Sequence, residues 1–329
     1  MYLIQETYCE VTVKIVKADG SLPDTSKVVA PVNNILHSLF ESVRLTINDV
    51  PITVSPNNYP YKAYITNCLT YGPAVKSAQL ICQGWYADLA DHMGPISGTN
   101  TGFSQRNQLL RQKFKDNNPY RPTGTTLFGR LMHDLIACET GLPPDTKVRI
   151  DIDKSDNAFF IMCPSDDKEE YQFQIKNISL YVPVAQLSMP VYQEINSILT
   201  RKNEPKSIVI HYRRIEVRPI SISKDKVNFY SDSLFPNADL PCRIVLCFVN
   251  ATSYNGTYSS NPFDFKRSWT VPKTPNVNQA SNPNQATQLF SLDAQRLENK
   301  FDLLASQFAK FCARFDEDTP LKKKRFEKG

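Results

Sequence analysis

The chain has 329 residues, 41% hydrophobic, 11% aromatic and 22% charged, with 11 Gly and 23 Pro, which excludes a wholly disordered or collagen-like chain. Single cores stop growing at about 250–300 residues, so two packed units are expected rather than one. The formal net charge is +5, but residues 321–329 hold five cations and one anion and leave residues 1–320 at only +1, which excludes a body built to neutralise many phosphates.

Period two dominates the first half. Cys9, Val11, Val13 and Ile15 alternate with Glu10, Thr12 and Lys14, which predicts a half-buried strand, and Asp19-Gly20 supplies a turn. Val43, Leu45 and Ile47 alternate with Arg44, Thr46 and Asn48 and predict a second strand. A helix is predicted over 61–71, stopped by Gly72-Pro73, and another over 126–139, between a Thr pair and Gly141. Further strands are predicted at 147–153, 158–163, 171–182, 207–217 and 242–250. Pro- and Asn-rich connections such as 51–60 and 95–103 separate them. Many short strands with turn signals predict an all-β fold, an antiparallel β-sandwich with helices in its loops.

Composition changes after Trp269. Residues 272–287 hold three prolines, four asparagines and two glutamines and read as a linker. Over 288–315, Phe290, Ala294, Leu297, Phe301, Leu304, Phe308, Phe311 and Phe315 repeat at alternating spacings of four and three, an a/d heptad seam on a C-terminal helix. Two readings stay open for it: self-association through Leu297, Phe301, Leu304, Phe308, Phe311 and Phe315, or docking on its own domain. The charged tail 316–329 carries Lys322, Lys323, Lys324 and Arg325. These four are either a nuclear-localisation signal or weak non-specific nucleic-acid contact, or a solvated end.

Chemistry is sparse. His37, His92, His133 and His211 show no metal-ligand spacing, and G-x-S-x-G, G-x-x-x-x-G-K-[ST] and G-x-G-x-x-G are absent. His133, Asp134 and Cys138 lie close enough in sequence to suggest a Cys-His nucleophile pair, but Leu131, Leu135 and Cys138 read better as the packed face of a helix. The stretch from Asp151 lacks the Gly and the terminal Glu of a calcium loop. Eight cysteines without C-x-x-C spacing read as buried thiols. No apolar run exceeds six residues, against about 20 for a bilayer span, and Glu6 and Glu10 interrupt the N-terminus. The expectation is a soluble intracellular protein without cofactor, metal or membrane, and not an enzyme.

Several stretches point to a family. They are Pro31-Val-Asn-Asn-Ile-Leu-His-Ser-Leu-Phe40, Tyr59-Pro-Tyr-Lys-Ala-Tyr64 through Tyr71-Gly-Pro73, and Leu127-Phe-Gly-Arg-Leu-Met-His-Asp134. Ser155-Asp-Asn-Ala-Phe159, Ile178-Ser-Leu-Tyr-Val182, Tyr212-Arg-Arg-Ile-Glu-Val217, Tyr254-Asn-Gly and Asn261-Pro-Phe-Asp-Phe265 follow. In this order they resemble the major capsid proteins of the Polinton/Maverick and adintovirus group, over residues 5–268. The resemblance implies a double jelly roll in a homotrimeric, pseudo-hexameric capsomer of an icosahedral virion, with contact to a penton-type minor capsid protein. It places the first jelly roll at 1–183, a connecting segment at 184–206 and a partial second jelly roll at 207–271, because strands expected after Phe265 are missing. A half-built sandwich exposes strand edges and an apolar face. The alternatives are a domesticated or degenerate capsid-derived host protein acting as an interaction or oligomerisation module, and a carbohydrate- or nucleic-acid-binding sandwich.

Overall fold

The computed structural model describes residues 1–24, 26–53, 57–90, 92–95, 98–114, 124–137, 141–143, 146–167, 169–200, 210, 212, 214–222 and 243–265. All belong to a compact unit, Met1–Trp269; a second unit, Thr270–Gly329, lies outside the described residues. The predicted linker, the heptad seam and the Lys322–Arg325 run therefore lie outside them too.

In chain order the elements are β1 (Tyr8–Lys17), β2 (Ala30–Pro31), α1 (Ile35–Ser38), β3 (Phe40–Ile47), β4 (Val50–Pro51), α2 (Tyr59–Thr70) and α3 (Pro73–Ala78). Then come α4 (Thr101–Phe114), β5 (Thr125–Arg130), β6 (Val148–Lys154), α5 (Asn157–Phe160), β7 (Ile161–Met162), β8 (Tyr171–Tyr181), α6 (Met189–Thr200) and α7 (Ala251–Asn255). Among the described residues strand pairing is antiparallel, in sheets ordered β5-β1-β8, β4-β3-β6 and β2-β7. The fold is thus β-rich, with helices carried in the connections.

The opening strand behaves as its alternation demands. Cys9, Val11, Val13 and Ile15 are buried, and meet Phe40 and Val43 of β3, Leu127 of β5 and Phe173 of β8 in one apolar cluster. Both larger sheets feed this core, and apolar burial of this kind is the main favourable term in folding. A bulge interrupts the β1–β8 ladder: Thr12 faces Asn177 but Val13 faces Ile175, leaving Lys176 unmatched. The extra residue brings Tyr171, Phe173 and Ile175 onto the same face as Ile178 and Leu180.

Several expectations are corrected. The helix predicted over 126–139 is β5 followed by a 3₁₀ turn at Asp134–Ala137. Thr125, Leu127 and Gly129 are buried in alternation, and a Cβ at Gly129 would lie 2.8 Å from Leu36 Cδ2 and from Gln83 Oε1. The strand predicted at 158–163 is split into α5 and β7. The connection at 95–103 gives way to α4 at Thr101. The described residues of 207–217 and 242–250 run irregularly, apart from a β-bridge at Phe248, instead of forming the predicted strands. Three of the cysteines read as buried, Cys68, Cys82 and Cys247, are exposed.

α4 is held very close to the chain before it. A Cβ at Gly102 would lie 2.1 Å from the Ala87 carbonyl oxygen, so only glycine fits. Gly102→Ala is expected to push α4 outward and cost about 1–3 kcal/mol, read as a lowered urea midpoint.

Candidate functional site

Buried polar groups come first, because each needs partners. Arg106 of α4 is wholly buried with Asp88. Its Nε–H donates to the Pro31 carbonyl at 2.8 Å, one Nη to the Tyr86 carbonyl and the other to Asp88 Oδ1 at 2.6 Å. Asp88 also accepts from Asn100 Nδ2 at 2.8 Å and Asn261 Nδ2 at 3.0 Å. Asn100 caps α4 by accepting the Phe103 N–H at 3.2 Å. One ion pair therefore ties α4, the chain at 86–88, β2 and the distant 261–263 segment together.

Two histidines are held neutral. Tyr59 O–H donates to His37 Nδ1 at 2.8 Å while His37 Nε2–H donates to Gln83 Oε1 at 3.3 Å; the Met132 N–H donates to the same Tyr59 oxygen. His133 Nε2–H donates to the Ile4 carbonyl at 2.9 Å, and its Nδ1 accepts the Leu135 N–H at 3.2 Å. Burial pushes both imidazoles down to about 4, and the Leu135 N–H aimed at His133 Nδ1 would oppose a proton there. Asp134, next to His133, is paired with the buried Lys62 ammonium. His133 is thus committed to backbone groups, and its proposed partner Cys138 lies outside the described residues. Asp151 and Asp153, from the rejected calcium stretch, pair with Arg149 and Arg44. Among the described residues, no three His, Cys, Asp or Glu side chains gather as a metal site, and no helix is long and apolar enough to cross a membrane.

The 250–265 segment folds back onto α2. Tyr254 stacks on Tyr61 at 5.6 Å and Phe263 on Tyr64 at 4.2 Å between ring centroids; Phe263 is fully buried. The Tyr254 hydroxyl donates to Asn58 Oδ1 at 2.7 Å, and the Cys163 N–H to the Tyr258 carbonyl at 2.8 Å.

The unsatisfied surface is apolar. At β6 and β8, the outer strands of the two larger sheets among the described residues, an open groove of about 550 Å³ lies between Ile150, Ile152 and Lys154 of β6 and Ile175, Ile178 and Leu180 of β8. Ile178 and Leu180 stand opposite Val11 and Cys9 in the ladder, so they point to the core side, yet they are 43% and 38% exposed. On the other face of that sheet, Tyr8 stacks on Phe128 at 5.3 Å, Phe128 lies 6.1 Å from Tyr181, and Tyr181 O–H donates to Glu10. α6 is a further exposed apolar element, with Met189, Val191, Tyr192 and Ile198 all open to solvent.

None of these surfaces was among the sites predicted from sequence, all of which lie in 297–325. Two signals were there to read. The apolar spacing in β8 changes phase between Ile175 and Ile178, which marks the bulge and the continuation of the core face. Met189, Tyr192 and Ile195 recur every three residues, as a helix face does.

No protein-family model matches the sequence. An uncharacterized protein of Caenorhabditis elegans is similar to it, 26% identical over 271 residues that make up 80% of this chain and 59% of the relative. The chain thus spans about three-fifths of the length of the curated relative it matches.

Proposed function

We propose that the chain is a structural subunit of the Polinton/Maverick major-capsid type, a double jelly roll with a shortened second roll that assembles into three-fold capsomers. The observation that carries this reading is where the resembling stretches meet. Tyr59-Pro-Tyr-Lys-Ala-Tyr64 lies some 200 residues before Tyr254-Asn-Gly and Asn261-Pro-Phe-Asp-Phe265, yet the three interlock as one aromatic cluster through Tyr61, Tyr64, Tyr254 and Phe263. Three of the stretches behind the resemblance therefore pack against one another. The open flank between β6 and β8 adds support, because an assembly subunit must keep apolar surface for its neighbours.

In this reading the partners are further copies of the chain and a penton-type minor capsid protein, in an intracellular virion. Any nucleic-acid contact is weak and runs through Lys322–Arg325. A second reading, a capsid-derived host protein that only oligomerises, is favoured by the irregular course of 214–222 and 243–250, where a complete second roll would need strands. Negative-stain electron microscopy of the purified full chain separates them. Three-fold, pseudo-hexagonal particles or shells are expected for the capsid subunit; discrete oligomers without three-fold symmetry would leave only the second reading.

A further inference from the structure

The chain exposes two apolar features that complement each other. One is the groove between β6 and β8; the other is α6. The helix is 12 residues long, about 18 Å at 1.5 Å per residue, and the groove runs along Ile175–Leu180, about 17 Å at the rise of a strand. Their charges also match. The charged residue lining the groove is Lys154, whose ammonium sits 4.1 Å from the Phe173 ring centre. The one charged residue on α6 is Glu194, placed by helical spacing beside the exposed Val191 and Ile198. A groove lined by Ile150, Ile152, Ile178 and Leu180 is the kind of surface on which an amphipathic helix lays its apolar face.

From these observations we infer that α6 of one copy docks in the β6–β8 groove of a second copy, with Glu194 paired to Lys154. α6 does not fill its own groove: its Met189, Val191, Tyr192 and Ile198 and the groove's Ile178 and Leu180 are exposed in the same molecule. Helix and groove are different patches, so the contact is head-to-tail, and such contacts close into rings when the rotation permits. The proposal rests on the assembly reading and supplies it with a specific subunit contact, which a three-membered ring repeats three times.

Sedimentation velocity of the full chain at about 1–100 µM tests this with variants at positions already exposed. Leu180→Glu in the groove and Ile198→Glu on the helix are each expected to weaken association by at least about 100-fold, as loss of an anchor does. Mixing the two variants should restore a 1:1 dimer, because one pairs its intact helix with the other's intact groove. Glu194→Lys and Lys154→Glu should each weaken association about tenfold, and the double reversal should recover it.

A wild-type chain that stays monomeric at about 100 µM, or oligomers unchanged by Leu180→Glu and Ile198→Glu, would overturn the docking. So would variants that lose association but fail to complement on mixing. The two ideas fail separately. Three-fold particles that persist in both variants leave the capsid reading intact and sink this contact. Variant-sensitive oligomers without three-fold symmetry keep the contact and sink the capsid reading.

Discussion

Asp88→Ala is expected to destabilise the Met1–Trp269 unit by about 3–5 kcal/mol, the cost of leaving a buried charge without its partner. Arg106 has no exposed surface and would keep only the Pro31 and Tyr86 carbonyls. Asn100 and Asn261 would lose the carboxylate they donate to. Against a total stability of about 5–15 kcal/mol for a typical protein, this loss is large. Because Asn261 also accepts the Phe263 N–H at 2.9 Å, the variant should release the 250–265 segment from α2 and expose it to protease. Arg106→Met alone should cost as much or less, and the double variant less than the sum, since each single change strands what the other removes. Urea melts of the four proteins give the coupling directly. A loss below about 1 kcal/mol for Asp88→Ala would show that the pair is not the clamp its geometry describes.

How far the sequence announces this architecture depends on what each element is made of. β1 is legible because Cys9, Val11, Val13 and Ile15 alternate against polar residues, and all four are buried. α2 is legible from its Gly72-Pro73 stop. β5 misleads because Leu127, Leu131 and Leu135 are spaced like a helix face; what decides for a strand is the close seat of Gly129 against Leu36 and Gln83, a tertiary fact. α4 is hidden for the opposite reason. Its largest fully buried side chain among the described residues is Arg106, and hydrophobic periodicity is blind to an inward-facing guanidinium. The groove was half visible, in the change of phase from Ile175 to Ile178. The return of Phe263 to Tyr64 was not visible in the sequence, since no local pattern links residues some 200 positions apart. The seam at 290–315, whose period is clean, lies outside the described residues.

The second large effect is expected from acid. His37 and His133 are buried and neutral, their imidazoles held down to about 4 against an ordinary 6.5, with burial as the main cause. The unfolded chain takes up protons at these two sites as pH falls through 6.5, and the folded chain resists until about pH 4. Their contribution is therefore complete above pH 6.5 and is lost progressively between 6.5 and 4. Each tenfold difference in proton affinity between the folded and unfolded chain is worth about 1.4 kcal/mol, so the two sites together remove about 4 kcal/mol by pH 5. Desolvation explains why neither ring yields sooner, since a charged imidazolium at either buried site would lose its hydration. Urea midpoints should fall steeply from pH 7 to pH 5, with unfolding at pH 5 taking up nearly two protons. His37→Gln should be less stable at pH 7 but lose only about half as much on acidification. Long-range nitrogen–proton spectra of the folded chain at pH 5 read the same property without a variant. Neutral imidazole signals from both residues are expected, and ring signals from His37 or His133 titrating near pH 6.5 in the folded protein would remove the basis for the acid sensitivity.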